Sequence, residues 1–267
     1  MGADVRGGFV SVSLVGKVVF VTGASSGIGA ATAMEFARQG TRLLLCARRV
    51  ERLQEMVPDL LEAGAADVRF FALDVQKRDD VESTLAALPE GWADIDVLVN
   101  NAGLSRGLMK LWEDDVQNWE EMIDTNVKGL LYVTRSVVPG MVRRGRGHVI
   151  SLGSVAGYIT YANGAVYCAS KAAEKAISEG LKLDLMGTAV RVTSVDAGMV
   201  ETEFSAVRFR GDEERAAKVY QNITPLQPED VADAIMWAAT RPAHVNVHNI
   251  LITTIDQGNS VTLNRKG

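Results

Sequence analysis

Seven short apolar runs, separated by longer stretches of helical periodicity, constrain the fold of this chain more than any other feature of its sequence. The runs cover residues 17–21, 42–46, 69–73, 96–99, 148–152, 190–195 and 249–253, and they are rich in Val, Leu and Ile at successive rather than alternate positions. Such runs read as strands buried on both faces, which belong to parallel sheets. After the first run, Gly29, Ala33, Phe36 and Ala37 fall on one helical stripe, and Gly40 supplies a stop signal. Strand–helix alternation over the whole length predicts an α/β fold, a Rossmann-type doubly wound parallel sheet of about seven strands with helices on both faces. Ligands then bind beyond the carboxyl ends of the strands. The length, 267 residues, suits one catalytic domain, expected over 14–267 after a loose tail, 1–13. Pro58 sits inside a helical pattern over 50–63 and predicts a kink or a late start there.

Composition narrows the partners. Lys and Arg total 28 against 33 Asp and Glu, for a net charge of −5 with both signs interspersed, so no basic field awaits nucleic acid or an anionic bilayer. The four-residue basic stretch Arg143-Arg144-Gly145-Arg146 reads as a complement to a helix C-terminus. Two cysteines, Cys46 and Cys168, give no disulfide framework and no paired metal motif, which fits a reducing cytoplasmic compartment. Arg6 stands where a myristoylation signal has Ser or Thr, and no apolar run nears the roughly 20 residues of a membrane-spanning helix. His244 and His248 flank a β-branched stretch without a third ligand, so no metal is expected.

The first strand runs directly into Thr22-Gly23-Ala24-Ser25-Ser26-Gly27-Ile28-Gly29, where a helix begins. Glycines permit the tight turn and bring backbone N–H groups close to a pyrophosphate, which the positive end of the helix also favours. A purely structural turn would need only the glycines, whereas the strand before and the helix after are the context a dinucleotide requires. Tyr167 and Lys171, four apart in a helical pattern, share one face. A phenol titrating near about 10 becomes an acid–base group at neutral pH when a cation favours its phenolate, and Lys171 is the expected cation.

The spacing Thr22-Gly23-x-x-x-Gly27-x-Gly29, the later Asn100-Asn101-Ala102-Gly103, and Tyr167 with Lys171 resemble, in this order, the short-chain dehydrogenase/reductase family. The resemblance implies hydride transfer between a nicotinamide and an alcohol or carbonyl compound. It implies that Gly23, Ser25, Ser26, Gly27, Ile28 and Gly29 hold the dinucleotide phosphates, and that Asp74 and Val75 contact adenine. Asn100, Ala102 and Gly103 would line the cofactor groove, Tyr167 and Lys171 would meet the nicotinamide ribose, and Gly198, Val200 and Thr202 would meet the nicotinamide end. At the end of the second strand, Ala47-Arg48-Arg49 replaces the acid that would bind a free ribose hydroxyl. Guanidinium groups suit a 2′-phosphate, so Arg48 and Arg49 predict NADP(H) over NAD.

By the same resemblance Ser154, thirteen residues before Tyr167, would hydrogen-bond the reacting oxygen, with Ser151 pointing away inside its strand. Asn126 would hold a water joining Lys171 to solvent. The segments 124–130, 202–212 and 241–246 are similar to the 3-hydroxy acid dehydrogenase branch, whose members oxidise L-serine, allo-threonine or 3-hydroxypropionate and reduce malonic semialdehyde. A carboxylate substrate needs a cation, and Arg208 or Arg210 is the expected clamp, with Tyr161 and Ser154 beside the substrate; solvated surface arginines are the alternative. Broad reduction of ketones or aldehydes is a second reading of the activity, and a non-catalytic NADP sensor a third. Asp196-Ala197-Gly198 departs from the family's usual Pro before Gly, which puts the rigidity of that loop in question. Family members commonly assemble as tetramers through the helices bearing Asn126 and Tyr167.

Overall fold

A computed structural model describes residues 12–266 of the chain. The expected tail therefore lies almost wholly outside the described residues; at its end Val12 N–H donates to the Thr240 carbonyl at 2.9 Å. In chain order the elements are β1 (Val18–Thr22), α1 (Gly27–Arg38), β2 (Arg42–Ala47), α2 (Val50–Glu62), β3 (Asp67–Ala72), α3 (Arg78–Ala86), β4 (Ile95–Asn100) and α4 (Val116–Ile123). They continue with α5 (Leu130–Arg144), β5 (Gly147–Ser154), α6 (Ala165–Asp184), β6 (Val190–Ala197), α7 (Phe204–Arg208), α8 (Glu213–Val219), α9 (Pro228–Ala239) and β7 (Asn249–Ile252). The seven strands form one sheet in the order β3-β2-β1-β4-β5-β6-β7. Every neighbouring pair is parallel. All seven expected strands are found, with bounds shifted by at most a few residues.

Alternation along each strand explains why the runs are apolar throughout. Val19 and Val21 of β1, with Leu43 and Leu45 of β2, pack on one face against Phe36 of α1, Leu53 and Leu60 of α2 and Ile235 of α9. Val18 and Phe20, with Leu44 and Cys46, pack on the other against Val81 of α3 and Val133, Val137 and Met141 of α5. Both faces are covered, so a polar residue at either parity would be buried without a partner. Truncating Phe36, fully buried, to Ala costs about 3–5 kcal/mol. Edge strands β3 and β7 carry only exposed and half-buried residues, as one-sided neighbours require.

The late start expected from Pro58 is not found. Helix α2 starts at Val50 and runs through Pro58 to Glu62. Pro58 and Gln54, whose carbonyl loses its donor, lie on the exposed side, while Leu53 and Leu60 anchor the buried side on either flank. A carbonyl on the exposed side can be left to solvent at little cost, and the anchors hold the helix in register. Order along the sheet reverses between β1 and β4, because the chain moves outward through β2 and β3 before crossing back to β4. The crevice at the carboxyl ends of β1 and β4 is thus the place where a ligand can enter between diverging loops.

Candidate active site

A cleft of about 970 Å³ opens at those carboxyl ends. One end is made of backbone. Gly23 and Gly27 have φ of +65° and +53°, a region that costs other residues strain. A β-carbon on Gly23 would sit 2.9 Å from Ala102 Cα, and one on Gly27 would sit 3.1 Å from Thr202 Cγ2. Small size at both positions leaves the turn open to a ligand at the N-terminus of α1. Ser25, Ser26, Ile28, Asp74, Val75, Ala102 and Gly103 line the same end. Gly29 does not: a side chain there would meet Asn101 Nδ2 and the Gly23 carbonyl, so its role is to let α1 pack on its own turn.

Asn100 also differs from expectation. Its Nδ2 donates to Thr134 Oγ1 at 2.9 Å, behind the cleft, and it is Asn101 that faces the opening. Asn101 Nδ2 donates to the carbonyls of Thr22 and Gly23 at 2.9 and 3.1 Å and so fixes the glycine turn. Being the last residue of β4, Asn100 points by pleat parity into the layer under α5. The sequence contains both asparagines, and only the register of β4 separates their roles.

Arg48 and Arg49 line the cleft at the end of β2. Arg49 donates to Ser26 Oγ at 2.9 Å and pairs with Glu203 at 2.9 Å, and Arg52 joins the same carboxylate at 2.6 Å. Glu203 lies between β6 and α7, so this cluster spans the cleft from side to side. Neither Glu203 nor Arg52 stood out in the sequence, since nothing local joins positions 151 residues apart.

At the other end α6 presents Tyr167 and Lys171, both buried, together with Ser154 from the end of β5. Burial holds the Tyr167 phenol above its ordinary range, and the Arg208 guanidinium and then a hydrogen bond with Ser154 offset only part of that rise. Lys171 Nζ donates to the Leu152 carbonyl, and burial lowers its proton affinity. Arg208 is thus a second cation beside the phenol, one the sequence reading did not assign to it. Ser154 Oγ also accepts from Ala156 N–H at 3.1 Å, which orients the hydroxyl at the strand end. Ser151 is buried in β5 and does not line the cleft.

Asn126 sits in a π-helical stretch, Asp124–Gly129, that links α4 to α5. Such bulges re-aim side chains and backbone groups at functional sites. Asn126 Oδ1 accepts from Leu104 N–H at 2.8 Å, and Nδ2 donates to the Leu104 carbonyl at 2.8 Å and to Ser170 Oγ at 3.0 Å. Its side chain is thus committed to locking the loop after β4 onto α6. The position of a β-carbon on Gly103 would be 3.4 Å from Asn126 Oδ1 and 3.9 Å from Lys171 Nζ, which places both groups around one glycine.

The lid over this end separates the two expected arginines. Arg208 lies 5.3 Å from the ring centres of Tyr167 and Phe204, and it donates to Ser105 Oγ and Tyr161 hydroxyl, each at 3.0 Å. Arg210 lines the cleft too, but it donates to Asn118 Oδ1 at 2.8 Å and pairs with Glu121, which Arg106 also holds. Those contacts fasten α7 to α4 and make Arg210 an anchor of the lid. Of the two, it is Arg208 that lies against the Tyr167 ring. Ala197 continues β6, pairing with Ile252 of β7, and Gln257 Oε1 accepts from Met199 N–H at 2.8 Å beside Gly198. Sheet pairing and that glutamine brace the loop where the usual proline is missing. Val200 and Thr202 line the cleft just beyond.

The site has close parallels among known proteins. The NADP-dependent 3-hydroxy acid dehydrogenase YdfG of Salmonella typhi is 49% identical over 241 residues, 90% of this chain and 96% of that protein. Serine 3-dehydrogenase of Agrobacterium fabrum is 39% identical over 239 residues, 90% of this chain and 94% of that protein. A solved structure described as the closed form of serine dehydrogenase complexed with NADP+ superposes with a TM-score of 0.87 at 47% identity, covering 91% of this chain and 97% of that one. Residues 17–213 match the short chain dehydrogenase family, and with relatives this similar over nearly their whole length the chain belongs to that family and is an oxidoreductase.

Proposed function

We propose that the protein is an NADP(H)-dependent dehydrogenase of small 3-hydroxy acids, such as L-serine or 3-hydroxypropionate, with malonic semialdehyde as the substrate in the reducing direction. The observation that carries this reading is Arg208, a cation held over the Tyr167 ring at the mouth of a cleft that already has the acid–base residues. A carboxylate that docks on Arg208 brings a hydroxyl two carbons away toward Tyr167 and Ser154, which is the reach of a 3-hydroxy acid.

The residues present fit a phosphorylated dinucleotide. The Gly23–Gly27 turn leaves space that a β-carbon would close, and guanidinium groups rather than a carboxylate end β2. Gly23, Ser25, Ser26, Gly27 and Ile28 would cradle the pyrophosphate, Arg48 and Arg49 the 2′-phosphate, and Asp74 and Val75 the adenine. When bound, the cofactor accepts or supplies the hydride. Tyr167 then exchanges the proton of the substrate oxygen, Ser154 donates a hydrogen bond to that oxygen, and Lys171 holds positive charge beside the phenol. Gly198, Val200, Thr202 and the lid helix α7 close the space over the reacting end and exclude water.

We also infer a homotetramer acting in the cytoplasm. Apolar Leu131 and Val142 of α5 and Leu183 of α6 stay exposed on the outer sides of the helices that carry the site. Light scattering reads the assembly. For the activity, NADP+ reduction with L-serine and NADPH oxidation with malonic semialdehyde are expected to exceed rates with uncharged ketones of similar size. Higher kcat/KM for the uncharged ketones would favour a broad carbonyl reductase instead.

A further inference from the structure

The face of α6 that carries Tyr167 and Lys171 continues for two more turns as Glu174 and Ser178, and both are buried. Glu174 is only 1% exposed. A carboxyl group so far from water is stable only with partners that offset its desolvation. Oε1 receives a long hydrogen bond from Ser178 Oγ, 3.4 Å, and Oε2 has no donor. Another acid borders the same space. The place a β-carbon on Gly153 would take is closed off by Asp196 Oδ1 from β6 and by Glu174 Oε2, the latter 2.9 Å away. Glycine at 153 leaves the space over β5 that both carboxyl groups border.

Asp196 is well supplied with donors. Ser194 Oγ reaches Oδ1 at 2.6 Å, and the Tyr158 hydroxyl and Asn249 Nδ2 reach Oδ2. Two carboxylates bordering one buried space cannot both stay ionised cheaply, and one takes a proton. With three donors already on Asp196, a proton held by the pair would sit on Glu174, where it would give the unpartnered Oε2 a hydrogen to donate. Burial pushes Glu174 up to about 7; Lys171 lowers it, Asp196 raises it and Ser178 lowers it again. Glu174 and Asp196 together raise the proton affinity of Lys171 against burial, and Glu174 acts weakly in the same sense on Tyr167. The groups around Glu174 are thus Tyr167, Lys171 and Ser178 on α6, Asp196 and Ser194 on β6, Tyr158 after β5, and Asn249 on β7.

We propose that Glu174 and Asp196 share one proton behind the Lys171–Tyr167 couple, and that Glu174 is a positioning residue whose charge sets how firmly those two groups hold their own protons. The role rests on the reading of Tyr167 and Lys171 as the acid–base couple; the shared proton does not. Infrared titration of the wild-type protein reads the pair directly. A protonated-carboxyl absorption is expected that fades between about pH 5.5 and about pH 8.5 and is missing in Glu174→Gln. The thermal signature has a definite sign. A buried acid with a raised pKa costs nothing below its unfolded value and destabilises as pH rises through the folded one, so Glu174→Gln should gain several degrees in Tm on wild type above about pH 7 and little near about pH 5. In turnover, losing the negative charge lowers the hold of Tyr167 on its proton. The alcohol-oxidation profile should move to lower pH by about half a unit in Glu174→Gln and return in Glu174→Asp.

A wild-type infrared titration with no near-neutral carboxyl step overturns the shared proton, even should the variant fail to fold. An infrared step as expected, with a turnover profile that only falls in height and does not move, overturns the positioning role. Full turnover in Tyr167→Phe would instead sink the acid–base couple, and would leave the infrared result standing.

Discussion

The two ends of the cleft are built from different materials. At the dinucleotide end the working parts are backbone: the Gly23–Gly27 turn, the start of α1 and the Asn101 side chain that pins the turn to β4. At the substrate end they are side chains, contributed by α6, the loop after β4 and a lid whose position depends on charged pairs such as Arg210 with Glu121 and Arg106 with Glu121. A backbone site tolerates no side-chain variation where the chain bends, and it recognises what every dinucleotide shares. A site made of side chains on a fastened lid can change its substrate without touching the sheet. The contrast teaches where specificity resides: common chemistry at the switch point between β1 and β4, and selection at α7.

Breaking the chemistry at the substrate end gives the largest effect. Tyr167→Phe should lower turnover by about 10²–10⁴-fold while NADPH binding, followed by fluorescence titration, is retained. Equal loss of binding would mean that the two ends are not separable. The lid comes next. Arg208→Met removes a charge-assisted contact of about 1.5–3 kcal/mol, so KM for L-serine should rise about 10–100-fold and that for an uncharged aldehyde much less. Because Arg208 holds the Tyr167 phenol down, its loss should also move the oxidation profile to higher pH, opposite to Glu174→Gln.

At the backbone end, Gly23→Ala forces a β-carbon toward Ala102 at positive φ and should cost about 1–3 kcal/mol of stability, measured by urea denaturation, with cofactor affinity falling alongside. Unchanged stability would show that the turn is looser than its geometry implies. The smallest effect is expected where the two ends touch. Glu203→Gln frees Arg49 and Arg52 from an exposed carboxylate, a change worth about 0.2–1 kcal/mol, and should shift NADP+ affinity by no more than a few-fold while leaving kcat with L-serine near wild type. A tenfold change in kcat would reveal mechanical coupling across the cleft.

Local pattern and long-range packing contributed unequally to what could be read in advance. Strand runs, the glycine turn and the i, i+4 pair Tyr167 and Lys171 depend on neighbours within a few residues, so each is visible in a short window of sequence. The choice between Asn100 and Asn101 depends on pleat parity, and the path of α2 through Pro58 depends on which side of the helix meets water. Neither is visible without the packed sheet. Glu174 left a partial trace: it continues the Tyr167–Lys171 stripe, yet a carboxylate there reads as surface until burial is known.

By itself the sequence determined the seven-stranded α/β architecture, the glycine turn after β1 and the placing of Tyr167 and Lys171 on one helix face, because periodicity and motif spacing act over one or two turns of chain. Tertiary structure alone decided that Arg208 faces the phenol while Arg210 ties down the lid, that Glu203 spans the cleft, and that Asp196 and Glu174 both border Gly153. Those relations join residues tens to more than a hundred positions apart, and only the closure of the sheet and the folding back of α7 bring their charges within reach of one another.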